Sequence, residues 1–315
     1  MTQILQVALA QIAPVWLNKA KTKAKIIECI KESAANGAEL IVFGEGLLPG
    51  YPFWVDQTDG ARFNSEKQKE FYAHYVRESV CIEKGDLTQI TEACRKSKIA
   101  CYLGIIECPE NRGGHSLYCS LVYINQEGGI CSVHRKLMPT YEERLVWSTG
   151  DGHGLVTHKL KDFTLGGLNC WENWMPLART SLYAQGENLH ISVWPGNQKN
   201  TEDLLPVLAK EGRSFVIGVS GLFAPTQITD DLPNSELLRN SIKNTLANGG
   251  SCIAAPDGSW IIPPFINEEK IAYAALDYDF VLRERQNFDS VGHYSRPDVL
   301  SLNINKERQQ TIKGE

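Results

Sequence analysis

The chain has 315 residues, 43% of them hydrophobic, and a formal net charge of −5. That is enough apolar material for a large core, and an acidic balance without a basic tract excludes a broad electrostatic footprint for nucleic acid. No apolar stretch approaches the roughly 18 residues needed to cross a bilayer, and Met1-Thr2-Gln3-Ile4-Leu5 enters a strand pattern with no basic leader. The nine cysteines are irregularly spaced and form no Cys-x-x-Cys. They are expected to be reduced thiols of a cytoplasmic protein, with neither a disulfide frame nor a zinc site.

Residues 6–11 read as a buried strand. Ala20, Ala24, Ile27, Ile30 and Ala34 then recur at helical steps, and Asn36-Gly37 closes that helix. The continuous apolar run 40–43 predicts a second buried strand, so the chain opens with a βαβ unit. Asp86 is placed to cap a helix carrying Leu87, Ile90 and Cys94, followed by a strand over 99–106. Residues 117–124 and 130–133 form a meander around Gln126-Glu127-Gly128-Gly129. An apolar run over 163–168 precedes Cys170, and a helix over 176–185 follows it. Next come a strand over 189–193, a helix near 204–211 and a strand over 215–219. A hairpin turns at Pro256-Asp257-Gly258, and a strand over 271–276 leads to a short helix near 280–285. Segments 51–80 and 223–241 break this rhythm and read as long loops with functional or interface roles. The reading gives one domain over 1–305, with a polar tail over 306–315 that is expected to fray.

Chemistry concentrates at three strand ends. Cys170 lies in Gly166-Gly167-Leu168-Asn169-Cys170-Trp171-Glu172-Asn173, between a strand and a helix whose positive end favours a thiolate. Read alone, it could equally be one of several core thiols. Glu45 follows four apolar residues and sits between Gly44 and Gly46, a costly place for a carboxylate without a task. Lys136 ends a strand-like run and precedes a proline-bearing loop. A thiol attacks an electron-poor carbon once a base has taken its proton. Glu45 fits that base if burial raises its pKa. Lys136 and a backbone N–H of Cys170 or Trp171 would stabilise the developing negative charge.

Together these residues resemble the nitrilase branch of the carbon–nitrogen hydrolase superfamily. The match rests on Phe43-Gly44-Glu45-Gly46, on His134-Arg135-Lys136-Leu137 and on Asn169-Cys170-Trp171-Glu172. Pro49-Gly50-Tyr51-Pro52 and the run His293-Tyr294-Ser295-Arg296-Pro297-Asp298 extend it over nearly the whole chain. The resemblance implies a Glu45, Lys136, Cys170 triad. It implies Glu143 as a second acid that positions lysine and substrate, while the neighbouring Glu142 is expected to point outward. It further implies a four-layer αββα sandwich pairing into an eight-layer dimer, with possible extension to spirals. The activity implied is hydrolysis of a nitrile to acid and ammonia. Tyr51, Trp54, Trp171, Trp194 and Met175 are candidate pocket residues for an apolar nitrile, whereas Trp147 and Trp174 read as structural. Asn173 departs from the histidine usual in that branch, which bears on the partition between acid and amide. A cyanide-degrading enzyme, an amidase with the same triad and a catalytically silent scaffold remain alternatives. No cofactor or metal motif is present, and the chemistry requires none.

Overall fold

The structure, a computed structural model, describes residues 4–312. The first half contains β1 (Ile4–Gln11), α1 (Lys19–Ala35), β2 (Leu40–Phe43), α2 (Trp54–Gln57), α3 (Glu66–Glu78) and α4 (Thr88–Ser97). It continues with β3 (Ala100–Glu107), β4 (Tyr118–Ile124) and β5 (Ile130–Arg135). The second half begins with β6 (His158–Leu160), β7 (Phe163–Asn169), α5 (Pro176–Tyr183), β8 (Leu189–Trp194) and α6 (Leu204–Gly212). It then runs through β9 (Phe215–Ser220), β10 (Leu222–Phe223), α7 (Ser235–Ser241), β11 (Ala247–Ala254), β12 (Trp260–Ile266), β13 (Lys270–Asp277) and α8 (Tyr278–Arg285).

The strands form two sheets built on one plan. In the first, β1, β2 and β3 are parallel, and antiparallel β13 on one side and β4 and β5 on the other extend them. In the second, β7, β8 and β9 are parallel, with antiparallel β6 beside β7 and β11 beside β9. Strands buried on both faces should be continuously apolar, as β2 (Leu-Ile-Val-Phe) is. Val7, Val42 and Leu121 from the first sheet meet Leu165, Ile191 and Ile217 from the second in a shared core. Ile26 and Ile30 of α1 and Ile90 and Cys94 of α4 cover the outer face of the first sheet. Leu204, Leu205 and Leu208 of α6 and Ala178 and Leu182 of α5 cover the second. The layer order is the expected αββα.

Three local expectations give way. Segment 51–80 is largely helical, because Phe71 and Tyr75 lie four residues apart on one face of α3 and both are fully buried. Segment 223–241 carries α7, which buries Leu238. Asp86 does not cap α4. Its carboxylate accepts from the Cys81 N–H at 2.9 Å and the Lys19 ammonium at 2.8 Å. Near the far end, Arg308 Nη1 and the Gln309 N–H both donate to the carboxylate of Asp151, at 3.0 and 2.9 Å. No helix among the described residues is long and apolar enough to cross a membrane.

Phe71 and Tyr75 join α3 to Trp54 of α2 in a cluster covering one end of the sandwich. Phe71→Ala is expected to lower unfolding free energy by about 3–5 kcal/mol, measured by urea denaturation. A loss under about 1 kcal/mol would show that α3 is only loosely attached.

Candidate active site

The parallel strands of both sheets deliver their carboxyl ends to one place, the usual site position in open α/β sheets. Glu45 follows β2, Lys136 follows β5 and Cys170 follows β7. Ligand-capable atoms of Glu45, Glu143 and Cys170 lie within 4.8 Å of one another, and all three residues are buried. The Lys136 ammonium sits among them. It donates to Glu45 Oε1 at 2.7 Å and to Glu143 Oε2 and Oε1 at 2.8 and 3.0 Å.

The immediate supports are local. Glu143 is set by a tight turn over Tyr141–Leu145, where its Oε2 accepts from the Thr140 N–H at 2.5 Å. The Tyr51 hydroxyl donates to Glu143 Oε1 at 2.9 Å and lies 3.4 Å from Glu142 Oε1. Glu142, expected to point outward, is therefore half-buried beside the cluster, because the Tyr51 phenol bridges both carboxylates. Cys170 is held in the left-handed region with φ +51°, unusual for a residue with a β-carbon and costly by about 1–3 kcal/mol. The turn that follows spans Cys170–Trp174 before α5 begins.

Charge placement sets the proton positions. Burial pushes Glu45 up to about 7, against the opposing pull of the Lys136 ammonium and with a further push from Glu143. Its Oε1 is engaged by Lys136 and by the Cys119 thiol at 3.2 Å, whereas buried Oε2 has no protein partner. Burial, joined by the Glu45 and Glu143 charges, also pushes the Cys170 thiol well above its ordinary value, although Lys136 and the Trp171 N–H oppose this. The expected thiolate-favouring turn is outweighed. Sulfur at rest is a thiol, with the Glu45 carboxyl group in the same buried cluster. Burial alone would lower the Lys136 pKa, but the charges of Glu45 and Glu143 outweigh it and hold the side chain as ammonium.

The other expected pocket residues fall in different places. Trp194 is fully buried; its carbonyl accepts from the Glu45 N–H at 3.3 Å and its Nε1–H donates to Ser192 Oγ at 2.8 Å. Trp171 and Met175 are exposed. Trp54 is not brought to the cluster, because α2 turns its ring against Phe71 and Tyr75. Trp147, read as structural, places its ring 5.6 Å from the Lys136 ammonium and edge-on to Tyr51. Two further residues escaped the sequence reading. Cys119 was one apolar-run cysteine among several. Glu172 proves to be a strap: its carboxylate accepts from the Asn169 N–H at 2.9 Å, the Leu137 N–H at 2.6 Å and His134 Nε2 at 3.1 Å. It thereby ties the loop of Cys170 to the loop of Lys136. Its position three residues after Asn169 was the available cue.

The model of the carbon-nitrogen hydrolase family matches residues 6–283. The chain belongs to the carbon–nitrogen hydrolase family. An aliphatic nitrilase of Rhodococcus rhodochrous is 33% identical over 99% of this chain and 85% of its own length. An arylacetonitrilase of Aspergillus niger is 33% identical over 97% of this chain and 90% of its own. Nitrilase 1 of Arabidopsis thaliana is 30% identical over 98% and 89%. The fold matches a solved carbon–nitrogen hydrolase from Helicobacter pylori with a TM-score of 0.71 at 18% identity, covering 94% of this chain and 97% of that one.

Alkylation of Cys170 by iodoacetamide should rise with pH through about 7 as Glu45 ionises. The sign follows from the raised pKa, since the protonated acid below it accepts no proton from sulfur. Glu45→Gln should remove that step and move reactivity to higher pH. An unchanged profile, followed by mass spectrometry of the Cys170 peptide, would rule out Glu45 as the base.

Proposed function

We propose that this carbon–nitrogen hydrolase is a nitrilase, converting an organic nitrile and two waters to a carboxylic acid and ammonia. The observation that carries the reading is the unpartnered Oε2 of Glu45 in a buried cluster with Cys170. A base with one oxygen held by lysine and the other free is arranged to take a proton from the thiol and return it.

Glu45 accepts the Cys170 proton as sulfur bonds to the nitrile carbon, and the proton passes to nitrogen to give a thioimidate. Water adds with Glu45 again as base, giving a tetrahedral species. Its nitrogen is protonated and leaves as ammonia, and a thioester remains. A second water releases the acid and restores the thiol. Lys136 and the Trp171 N–H stabilise the negative charge at each addition. Glu143 holds the ammonium in place, and its own charge helps keep Lys136 protonated.

Relatives named aliphatic nitrilase and arylacetonitrilase support an apolar organic nitrile as substrate. Tyr51 stands at the cluster, and Trp171 and Met175 supply apolar surface on the loop of Cys170. A cleft of about 370 Å³ opens beside Glu142 and is lined also by Asp56, Asp59 and Leu145. Pairing of two sandwiches is supported by the exposed Leu177 and Val207 on α5 and α6. Nine unpaired thiols suit a reducing compartment such as the cytoplasm.

The test is ammonia and acid release from benzonitrile, phenylacetonitrile, a short dinitrile, cyanide and a simple amide. Turnover of an organic nitrile is expected, and Cys170→Ala should abolish it with the fold intact, by circular dichroism. Turnover confined to the amide would assign an amidase instead. Light scattering should give at least a dimer, and Leu177→Glu with Val207→Glu should shift it toward monomer.

A further inference from the structure

A second group of buried polar side chains lies behind the nucleophile and takes no part in the chemistry above. Asn173, His190 and Glu187 are at most 1% exposed. The Asn173 Nδ2 donates to the Cys170 carbonyl at 2.7 Å, with the Leu168 carbonyl 3.4 Å away. Two carbonyl oxygens on that side fix the amide orientation, so Asn173 Oδ1 must face His190 Nε2, 2.8 Å distant. His190 Nε2 therefore carries hydrogen and donates. On the other side His190 Nδ1 lies 2.9 Å from Glu187 Oε1, so a proton sits between that pair as well. Arg179 fixes the Asn173 backbone by donating to its carbonyl at 2.8 Å. Gly166 pairs with His190 in the parallel ladder, and a β-carbon there would lie 2.2 Å from Glu187 Oε1. Space for the glutamate is thus built into β7.

The chain of bonds ends on the Cys170 carbonyl, and that atom shares a planar peptide with the Trp171 N–H. Fixing one fixes the direction of the other, and the Trp171 N–H faces the Cys170 sulfur. Resting on the nitrilase reading, we propose that Asn173, His190 and Glu187 form a positioning relay that locks the Cys170–Trp171 peptide and aims the Trp171 N–H at the reacting centre. The relay also holds Cys170 in its left-handed conformation. It makes Asn173, the departure from the histidine expected there, the residue that joins the nucleophile's turn to β8.

His190→Phe keeps the ring and removes the donor. It should lower kcat for nitrile turnover about 10- to 100-fold, the scale of a small misplacement at a reacting centre, with KM changed less than about threefold. His190→Gln restores a donor toward Asn173 and should recover most of the loss. Glu187→Gln, which can donate to Nδ1 and keep hydrogen on Nε2, should stay near wild type, whereas Glu187→Leu should resemble His190→Phe. Wild-type kcat in His190→Phe overturns the relay. So does an equal loss in the Phe and Gln variants that follows their melting temperatures, since packing alone would then explain it. If His190→Phe does not fold, Asn173→Asp decides: it is close to isosteric but has no donor for the Cys170 carbonyl, so kcat should fall similarly, and an unchanged kcat sinks the proposal. Iodoacetamide labelling of Cys170 separates this from the functional reading. It needs no nitrile, and His190→Phe should slow it about tenfold or more even if the wild type hydrolyses none of the nitriles offered. An unchanged labelling rate counts against the relay alone.

Discussion

One ammonium held between two carboxylates in a closed space is the constraint on which the rest of the structure depends. Removing Lys136, Glu45 and Glu143 from water is expensive, and their attraction repays this only with close geometry and further hydrogen bonds. The protein supplies both. Lys136 reaches both glutamates within 3.0 Å, Glu143 is held by Thr140 and Tyr51, and Glu45 Oε1 also accepts from Cys119. One oxygen, Glu45 Oε2, is left out of this scheme and is the atom proposed to take the thiol proton. Burial, joined by the crowding of negative charge around one ammonium, is why Cys170 rests as a thiol and Glu45 titrates near neutrality.

This cluster draws on both sheets, so the sheets must be registered against each other to within bonding distance. His134, Arg135 and Lys136 show how. Their glutamate partners differ: His134 pairs with Glu172 across the sheets, Arg135 with Glu107 on β3, one strand beyond β4, and Lys136 with Glu45 and Glu143. Three consecutive side chains thus anchor the end of β5 in three directions. Glu172 lies two residues from Cys170, so the sulfur's loop and the ammonium's loop share one carboxylate. The shared apolar core beneath, from Val42 and Leu121 to Leu165 and Ile191, makes the contact rigid.

Features whose physics is local were legible in the sequence. Leu40–Phe43 and the run ahead of Cys170 read as buried strands because nothing else suits continuous apolar residues between turn formers. Glu45 stood out because a carboxylate at such a place demands a reason. Segment 51–80 misled because its charged and aromatic content masked the spacing of Phe71 and Tyr75, and α3 is stabilised by tertiary burial more than by a strongly apolar face. The protonation state of Cys170 was not legible. The turn after the sulfur argued for a thiolate, but burial of the thiol, together with two distant glutamates brought close only by folding, decides otherwise. Cys119, Glu172, His190 and Glu187 stayed hidden for the same reason, since each acquires its role from partners on other strands or loops.

The contacts of Arg308 and Gln309 have a reach beyond their own neighbourhood. Gln309 Nε2 also donates to the Gly150 carbonyl, and the Gly150 N–H in turn donates to the Lys136 carbonyl at 2.7 Å. A β-carbon at Gly150 would stand 2.1 Å from the Arg135 carbonyl, so this junction has no slack. Gln309 is therefore a latch on Lys136, two hydrogen bonds removed from it. Trimming the protein before residue 308, a common way to tidy a polar end, would unfasten that latch and loosen the ammonium from behind.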